Sequence, residues 1–192
     1  MSLRVIIAED NWLTPTVLRT ELETHGYEVV GVARTGQEAI ALCRDHAPDV
    51  VLMDIRMPEM SGIEATRVLM EEGPTCVVMV TGDTSFLVAA DEIGAMDYLV
   101  KPFMPDEITA VVEAAVKRFA RFMTIREESL NAHEALQTWQ FVQRAVKHLG
   151  GHARLSEEGA FRELQRAAQE HGTTVRLEAE SMLRVQHPTS AA

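Results

Sequence analysis

The chain has 192 residues, 46% of them apolar, and carries 29 acidic against 18 basic side chains for a formal charge of −11. That length suits one ordinary core plus a small second domain, and the absence of any run of about 18 apolar residues excludes a helical membrane span. The start, Met1-Ser2-Leu3-Arg4, has no long apolar stretch, so no secretory signal is read and a cytoplasmic location is expected. Cys43 and Cys76 lie in apolar contexts without CxxC spacing, which fits reduced core thiols rather than a disulfide or a zinc site. The charge is unevenly divided. Residues 1–116 hold 7 basic and 20 acidic side chains (7 − 20 = −13), whereas residues 117–192 hold 11 and 9 (11 − 9 = +2) and five of the seven histidines. Two regions so different in sign suggest different partners.

Taken in order, residues 3–8 read as a strand that stops at Glu9-Asp10. A helix is expected next, with Thr14 as its N-cap and Pro15 in its first turn, ended by His25-Gly26. Residues 28–33 form the second strand, and Thr35-Gly36-Gln37-Glu38 has capping-box spacing for a helix that stops before Pro48. Residues 50–53 are four consecutive apolar side chains, the mark of a strand buried on both faces, and they run into Asp54. Ser61-Gly62-Ile63-Glu64 repeats the capping-box pattern to open a third helix, residues 76–80 make a fourth strand ending at Thr81-Gly82, residues 86–90 lie in a short fourth helix, and residues 96–100 make a fifth strand ending at Lys101-Pro102. Five strands alternating with helices through short polar loops predict an α/β fold, a doubly wound five-stranded parallel sheet with helices on both faces.

Pro105-Asp106 opens the fifth helix, and from Asp106 to Leu149 there are 44 residues without Gly or Pro, enough for ~66 Å of helix. Apolar residues recur at 4-3 spacing in two stripes of different phase, Ile108, Val112, Ala115, Phe119, Phe122 and then Ala135, Trp139, Val142, Val146, Leu149. These describe a long or broken helical connector or, alternatively, two ordinary amphipathic helices with a hinge. Gly150-Gly151 is read as its end; Ser156 caps another helix closed by His171-Gly172, and residues 175–185 form a third. The expected division is residues 1–122, a connector over 123–133, a three-helix all-α domain over 134–187 and a disordered tail over 188–192.

The polar residues of the first domain fall at strand ends: Glu9 and Asp10, Asp54, Thr81 and Lys101. In a doubly wound sheet those ends converge on one rim, where ligands gather. Three carboxylates together repel unless a divalent cation lies among them, and hard oxygen ligands suit magnesium. Asp54 alone could equally be a loop or helix cap, and it is the other strand ends that favour chemistry. Such a site can accept a phosphoryl group on a carboxylate while Lys101 neutralises developing charge and the Thr81 hydroxyl donates to the product.

On these residues, positions 1 to about 122 resemble a two-component response-regulator receiver domain of the CheY-like kind, with Asp54-Ile55-Arg56-Met57-Pro58 and Gly62 as its most specific signature. The resemblance implies phosphorylation of Asp54 by a sensor histidine kinase and a Mg2+ ion held by Glu9, Asp10, Asp54 and the backbone carbonyl of Arg56. It also implies a flavodoxin-like sheet of order 2-1-3-4-5, that Thr81 and Tyr98 act as switch residues, that Lys101 pairs with the phosphoryl group, and that the bond before Pro102 is cis. Gly82 stands where the family more often has alanine.

Residues 134–187 resemble the ANTAR type of RNA-binding domain through Val142, Ala145, Leu149, Leu155-Ser156-Glu157-Glu158, Ala160-Phe161, Leu164, Ala168, Val175 and Ala179. Val146-Lys147 replaces the usual Lys-Gly, taking a cation from a position that could meet phosphate, and Arg144, Lys147, Arg154 and Arg166 are the substitutes. Trp139, Phe141 and Phe161 are candidates for stacking on bases, or else core residues. No second set of metal ligands accompanies His148 or His152. The function implied is a phosphorylation-controlled regulator that binds stem-loop RNA and acts in transcription antitermination. The alternative is a protein-interaction or dimerisation module without nucleic-acid binding. A helix-turn-helix reading lacks a basic recognition helix, and an enzymatic output lacks an acid or histidine cluster beyond residue 122. Phe119 and Phe122, expected as an exposed apolar patch, predict a homodimer favoured by phosphorylation.

Overall fold

The structure, a computed structural model, describes residues 2–153 and 155–184, without the side chains of 84, 87, 152 and 153. Arg154 and the expected tail of residues 188–192 lie outside the described residues. The chain divides into two compact units, Met1–Met123 and Thr124–Ala192.

The first unit is a five-stranded parallel sheet in the order β2-β1-β3-β4-β5, with β1 at Arg4–Ala8, β2 at Glu28–Ala33, β3 at Val50–Asp54, β4 at Val77–Thr81 and β5 at Asp97–Val100. The predicted strands and their order are all present. Side chains alternate between the two faces of each strand, and this period of two divides the core. On one face Ile6, Ala8, Val51, Met53, Val77 and Met79 pack with Ile40 and Cys43 of α2 (Gly36–His46), Ala65 and Leu69 of α3 (Gly62–Glu72) and Ala90 of α4 (Leu87–Glu92). On the other, Val5, Ile7, Val50, Leu52, Val78 and Val80 meet Leu18 and Leu22 of α1 (Leu13–Thr24) and Ile108, Val112 and Ala115 of α5 (Pro105–Ala153). Leu18 and Leu22 are wholly buried, and side chains of that kind stabilise a fold by about 1.5–3 kcal/mol each. Burial pushes the Cys43 thiol up to about 11 and, with the charge of Asp97 adding to it, Cys76 up to about 12, as expected of inert core thiols.

Of the four helix starts predicted from capping residues, those at Thr35, Ser61 and Ser156 hold and that at Thr14 does not. Thr35 accepts the Glu38 N–H while Glu38 accepts from the Arg34 N–H, and Ser61 with Glu64 completes a reciprocal capping box. Thr14 is not a cap. α1 begins at Leu13, whose N–H donates to Asn11 Oδ1 at 2.8 Å, so a side chain two residues upstream takes one N–H of the first turn. Gly26, at φ 82°, ends the following turn as expected.

α5 is a single helix of 49 residues that runs through Gly150-Gly151 to Ala153, so the two glycines are not its end. In the second unit its carboxy-terminal turns, α6 (Glu157–Glu170) and α7 (Val175–Arg184) enclose a small core of Ala145, Val146, Ala160, Leu164 and Ala179. Val146 is 5% exposed within this core. Val146 thus packs on the small core at the edge of the groove that Arg144 and Lys147 line.

Candidate functional site

The rim is assembled by register. Asp54 ends β3 opposite Val80, Thr81 ends β4 opposite Val100, and the Lys101 N–H donates to the Thr81 carbonyl at 2.7 Å. Glu9 follows β1 and is fixed by its own N–H, which donates to the Ala33 carbonyl at 2.9 Å. The five strand-end residues singled out from sequence are thus brought to one rim. Carboxylate oxygens of Glu9, Asp10 and Asp54 lie within 4.8 Å of one another, with Glu9 and Asp54 buried and Asp10 exposed.

Gly62 explains why the aspartate strand is followed by glycine at that spacing. A Cβ built there would stand 2.1 Å from the Asp54 carbonyl oxygen and 2.8 Å from Met53 Cγ, so α3 can pass this close to the end of β3 only without a side chain. The Gly62 N–H donates to the Ile55 carbonyl at 3.0 Å, and the Arg56 N–H donates to the Asp54 carboxylate.

Lys101 Nζ donates to Asp54 Oδ1 at 3.1 Å and also to Glu9. Burial raises the Asp54 carboxyl above its ordinary range; Lys101 opposes the rise and Asp10 adds to it. Burial likewise raises Glu9, against the bond from Lys101 and with help from the Asp54 charge. Burial works against the Lys101 charge, and the two carboxylates outweigh it, so the ammonium is held above its usual value. The site combines crowded anions with one well-anchored cation, a set of oxygens suited to a hard divalent ion. The peptide bond between Lys101 and Pro102 is cis, as the resemblance implies.

Thr81 and Tyr98 have partners that sequence alone did not indicate. The buried Thr81 hydroxyl accepts the Asp83 N–H at 3.0 Å and donates to the Asp83 carbonyl at 3.1 Å. The half-buried Tyr98 hydroxyl bonds to Asp91 of α4, and burial followed by the Asp91 charge raises its pKa. Asp83 and Asp91 sit in a loop and on a short helix, where no periodic signal marks a residue as a partner. A Cβ at Gly82 would meet nothing within 4 Å, so the space beside Thr81 would accept the alanine more usual there.

Of the residues expected to meet RNA, Arg144 and Lys147 line one groove of the second unit together with Gln143, Val146 and Glu157. Arg166 is instead engaged within its own helix, by Glu163 and by Glu170 at 3.6 Å. Phe141 packs against the small core, whereas Trp139 is 60% exposed and Phe161 is also exposed. Phe119 and Phe122 do not form the exposed patch expected of them. Both are half-buried, Phe119 packs on the sheet-face core that holds Leu18, Ile108 and Val112, and the two rings stack with centroids 6.2 Å apart. The exposed apolar side chains of α5 lie further along, at Met123, Ile125, Leu130, Leu136 and Trp139.

A doubly wound sheet of order 2-1-3-4-5 with an acid cluster and a lysine at its carboxyl rim defines the response-regulator receiver class. The family described as the response regulator receiver domain matches residues 5–113, and the ANTAR domain matches residues 130–183; the chain belongs to the response-regulator family, with an ANTAR domain as its second part. It is 37% identical over 182 residues to the transcriptional regulatory protein PdtaR of Mycobacterium tuberculosis H37Rv, covering 94% of this chain and 89% of that protein. It is 35% identical over 120 residues to the chemotaxis protein CheY of Thermotoga maritima, covering 61% of this chain and all of CheY. Among solved structures, the response regulator domain of Thermotoga maritima CheB aligns with a TM-score of 0.56 at 29% identity over 62% of this chain and 96% of that one. A LuxR-family response regulator from Aurantimonas sp. SI85-9A1 aligns with 0.58 at 31%, over 61% and 86% respectively.

Proposed function

We propose that this response regulator takes a phosphoryl group on Asp54 from a sensor histidine kinase and thereby controls an RNA-binding output that acts in transcription antitermination in the cytoplasm. The observation that carries the reading is the rim itself, in which Lys101 holds Oδ1 of a buried Asp54 beside Glu9 and Asp10. Glu9, Asp10, Asp54 and the Arg56 carbonyl would hold Mg2+, which when bound neutralises charge on the transferring phosphoryl group. The Asp54 carboxylate forms the new oxygen–phosphorus bond as the phosphorus–nitrogen bond of the donor histidine breaks, and the electron pair leaves with the imidazole. Lys101 then pairs with a phosphoryl oxygen. Thr81 exchanges its bonds to Asp83 for one to the phosphoryl group, Tyr98 moves with it, and the surface of α4, β5 and α5 is remodelled. No enzymatic output is assigned.

In the second unit, Arg144 and Lys147 supply the phosphate contacts, with Arg166 and Arg154 as further candidates; Arg166 would first have to leave its acids. A homodimer favoured by phosphorylation completes the reading, and the exposed Ile125, Leu136 and Trp139 support a helix-to-helix contact. The buried Val146 and the occupied Arg166 favour a second reading, a protein-interaction or dimerisation module that binds no nucleic acid. Binding of stem-loop RNA and of duplex DNA, each across salt concentrations and with or without a small phosphodonor and Mg2+, separates the two. The first reading expects stem-loop RNA to bind more tightly when the donor is present, with affinity falling as salt rises. Equal, negligible binding of both nucleic acids leaves the second reading.

A further inference from the structure

Glu178 is a carboxylate in an unusual place. It lies in the first turn of α7, its side chain only 9% exposed, next to the wholly buried Ala179 that helps close the small core. Burying a carboxylate is costly unless a donor compensates it, and a three-helix unit has little stability in reserve. The compensating group is His171, the residue that caps the carboxy terminus of α6, whose Nδ1 stands 3.0 Å from Glu178 Oε2. Between them the chain turns through Gly172 at φ 63°, and the Glu178 N–H donates to the Thr174 carbonyl at 3.0 Å, so the turn's backbone fixes the pair's approach. The ion pairs Arg162–Glu158, Arg166–Glu163, Arg166–Glu170 and Arg184–Glu180 each stay within one helix, whereas His171–Glu178 ties the end of α6 to α7.

Both charges also suit their helices. An imidazolium at the carboxy-terminal end of α6 and a carboxylate in the first turn of α7 each face the favourable end of a helix dipole. We propose that His171 and Glu178 form a proton-operated clasp that sets how firmly α7 is held in the core of the second unit. With His171 protonated, the buried carboxylate is matched by a full charge. After the proton leaves, the ring of His171, itself 65% exposed, still offers one N–H, but its counter-charge is gone.

Of the charged groups on the packed helices, Glu178 and Glu170 act on the His171 proton. On α6, Glu170 strengthens the hold on the His171 proton, while Arg166 is engaged by Glu163 and Glu170. On α7, Glu180 and Arg184 pair with each other, and Arg176 is half-buried. On α5, Arg144 and Lys147 share a groove with Glu157, at the opposite end of α6 from His171, and His148 is half-buried. The bond from Glu178, then its charge, raises the His171 pKa above the ordinary 6.5, with burial opposing. A histidine raised on folding stabilises the fold fully below its unfolded value and loses that contribution as pH rises through the folded one. The clasp therefore loosens as pH rises from 6.5 through the folded value of His171, independently of events at Asp54.

The test uses the full chain, following the His171 ring by NMR and α7 amide exchange, corrected for intrinsic rates, from pH 6 to 8.5. The expected result is a His171 titration above 6.5 that returns towards it in Glu178→Gln, and α7 protection that falls as pH rises. The loss should be about tenfold per unit by which the measured His171 value exceeds 6.5. It should be the same in Asp54→Asn and absent in His171→Gln. If Glu178→Gln releases α7 at every pH, the wild-type series decides alone. Protection in the wild type that is indifferent to pH, or an identical fall in His171→Gln, overturns the proposal.

Discussion

Asp54 and Lys101 hold each other in opposition: burial pushes the carboxyl up, and the lysine, itself held charged, pulls it back. Two outcomes follow at this scale. Metal binding needs the deprotonated carboxylates, and both Glu9 and Asp54 are raised, so protons should compete with Mg2+ at a higher pH than an ordinary carboxylate near 4 would allow. Calorimetric titration with Mg2+ from pH 4 to 8 should show affinity already falling before that range is reached; a fall confined to pH near 4 contradicts the burial argument. Gly62→Ala should destabilise the first unit by about 2 kcal/mol or more, since its Cβ would meet backbone at 2.1 Å, whereas Gly82→Ala should change stability by less than ~0.5 kcal/mol. Thermal midpoints of the two variants compare them directly. The spacing from Asp54 to Gly62 was readable in the sequence, but its reason was not, because a close backbone approach leaves no mark except the glycine itself. Asp83 and Asp91 were unreadable for a related reason, since a hydroxyl's partner depends on the fold of a loop.

Among the elements, the strands were the most legible, because four buried residues in a row at 50–53 and acids at the strand ends are signals of composition as well as period. α5 was the least legible at its far end. Gly150 and Gly151 weaken a helix by roughly 1 kcal/mol each relative to alanine, yet the helix continues, and Gly150 brings the Leu155 carbonyl to 3.3 Å of where a Cβ would stand. The returning chain thus uses the glycine as a place to approach. Phe119 and Phe122 were misread because 4-3 spacing marks an apolar face without saying what covers it. Between them and the small core, residues 123–136 of α5 are all exposed. Amides there should exchange faster than those around Ile108, Val112 and Ala115, which are fully buried against the sheet. Equal protection along both stretches, in a sample shown to be monomeric, would contradict the placement of this segment in water.

For the molecule as a whole, two units with separate cores are each tied to their own family, but the sign change read from the sequence at residue 116 does not follow their boundary: residues 124–192 hold 8 basic and 9 acidic side chains (8 − 9 = −1), because Lys117, Arg118 and Arg121 belong to the first unit. Sedimentation tests the proposed assembly: an acyl-phosphate mimic with Mg2+ should shift wild type towards dimer, and Ile125→Glu should oppose the shift. A monomer in every condition contradicts the dimer without touching the acid rim. The rim carries the account, and the most direct measurement is mass spectrometry of the intact protein after exposure to a small phosphodonor and Mg2+. The expected result is a single added phosphoryl group, mapped to Asp54 and absent from Asp54→Asn, with labelling strongly reduced when the metal is chelated. Magnesium-dependent labelling that persists in Asp54→Asn, or that maps to another residue of the wild type, would contradict it.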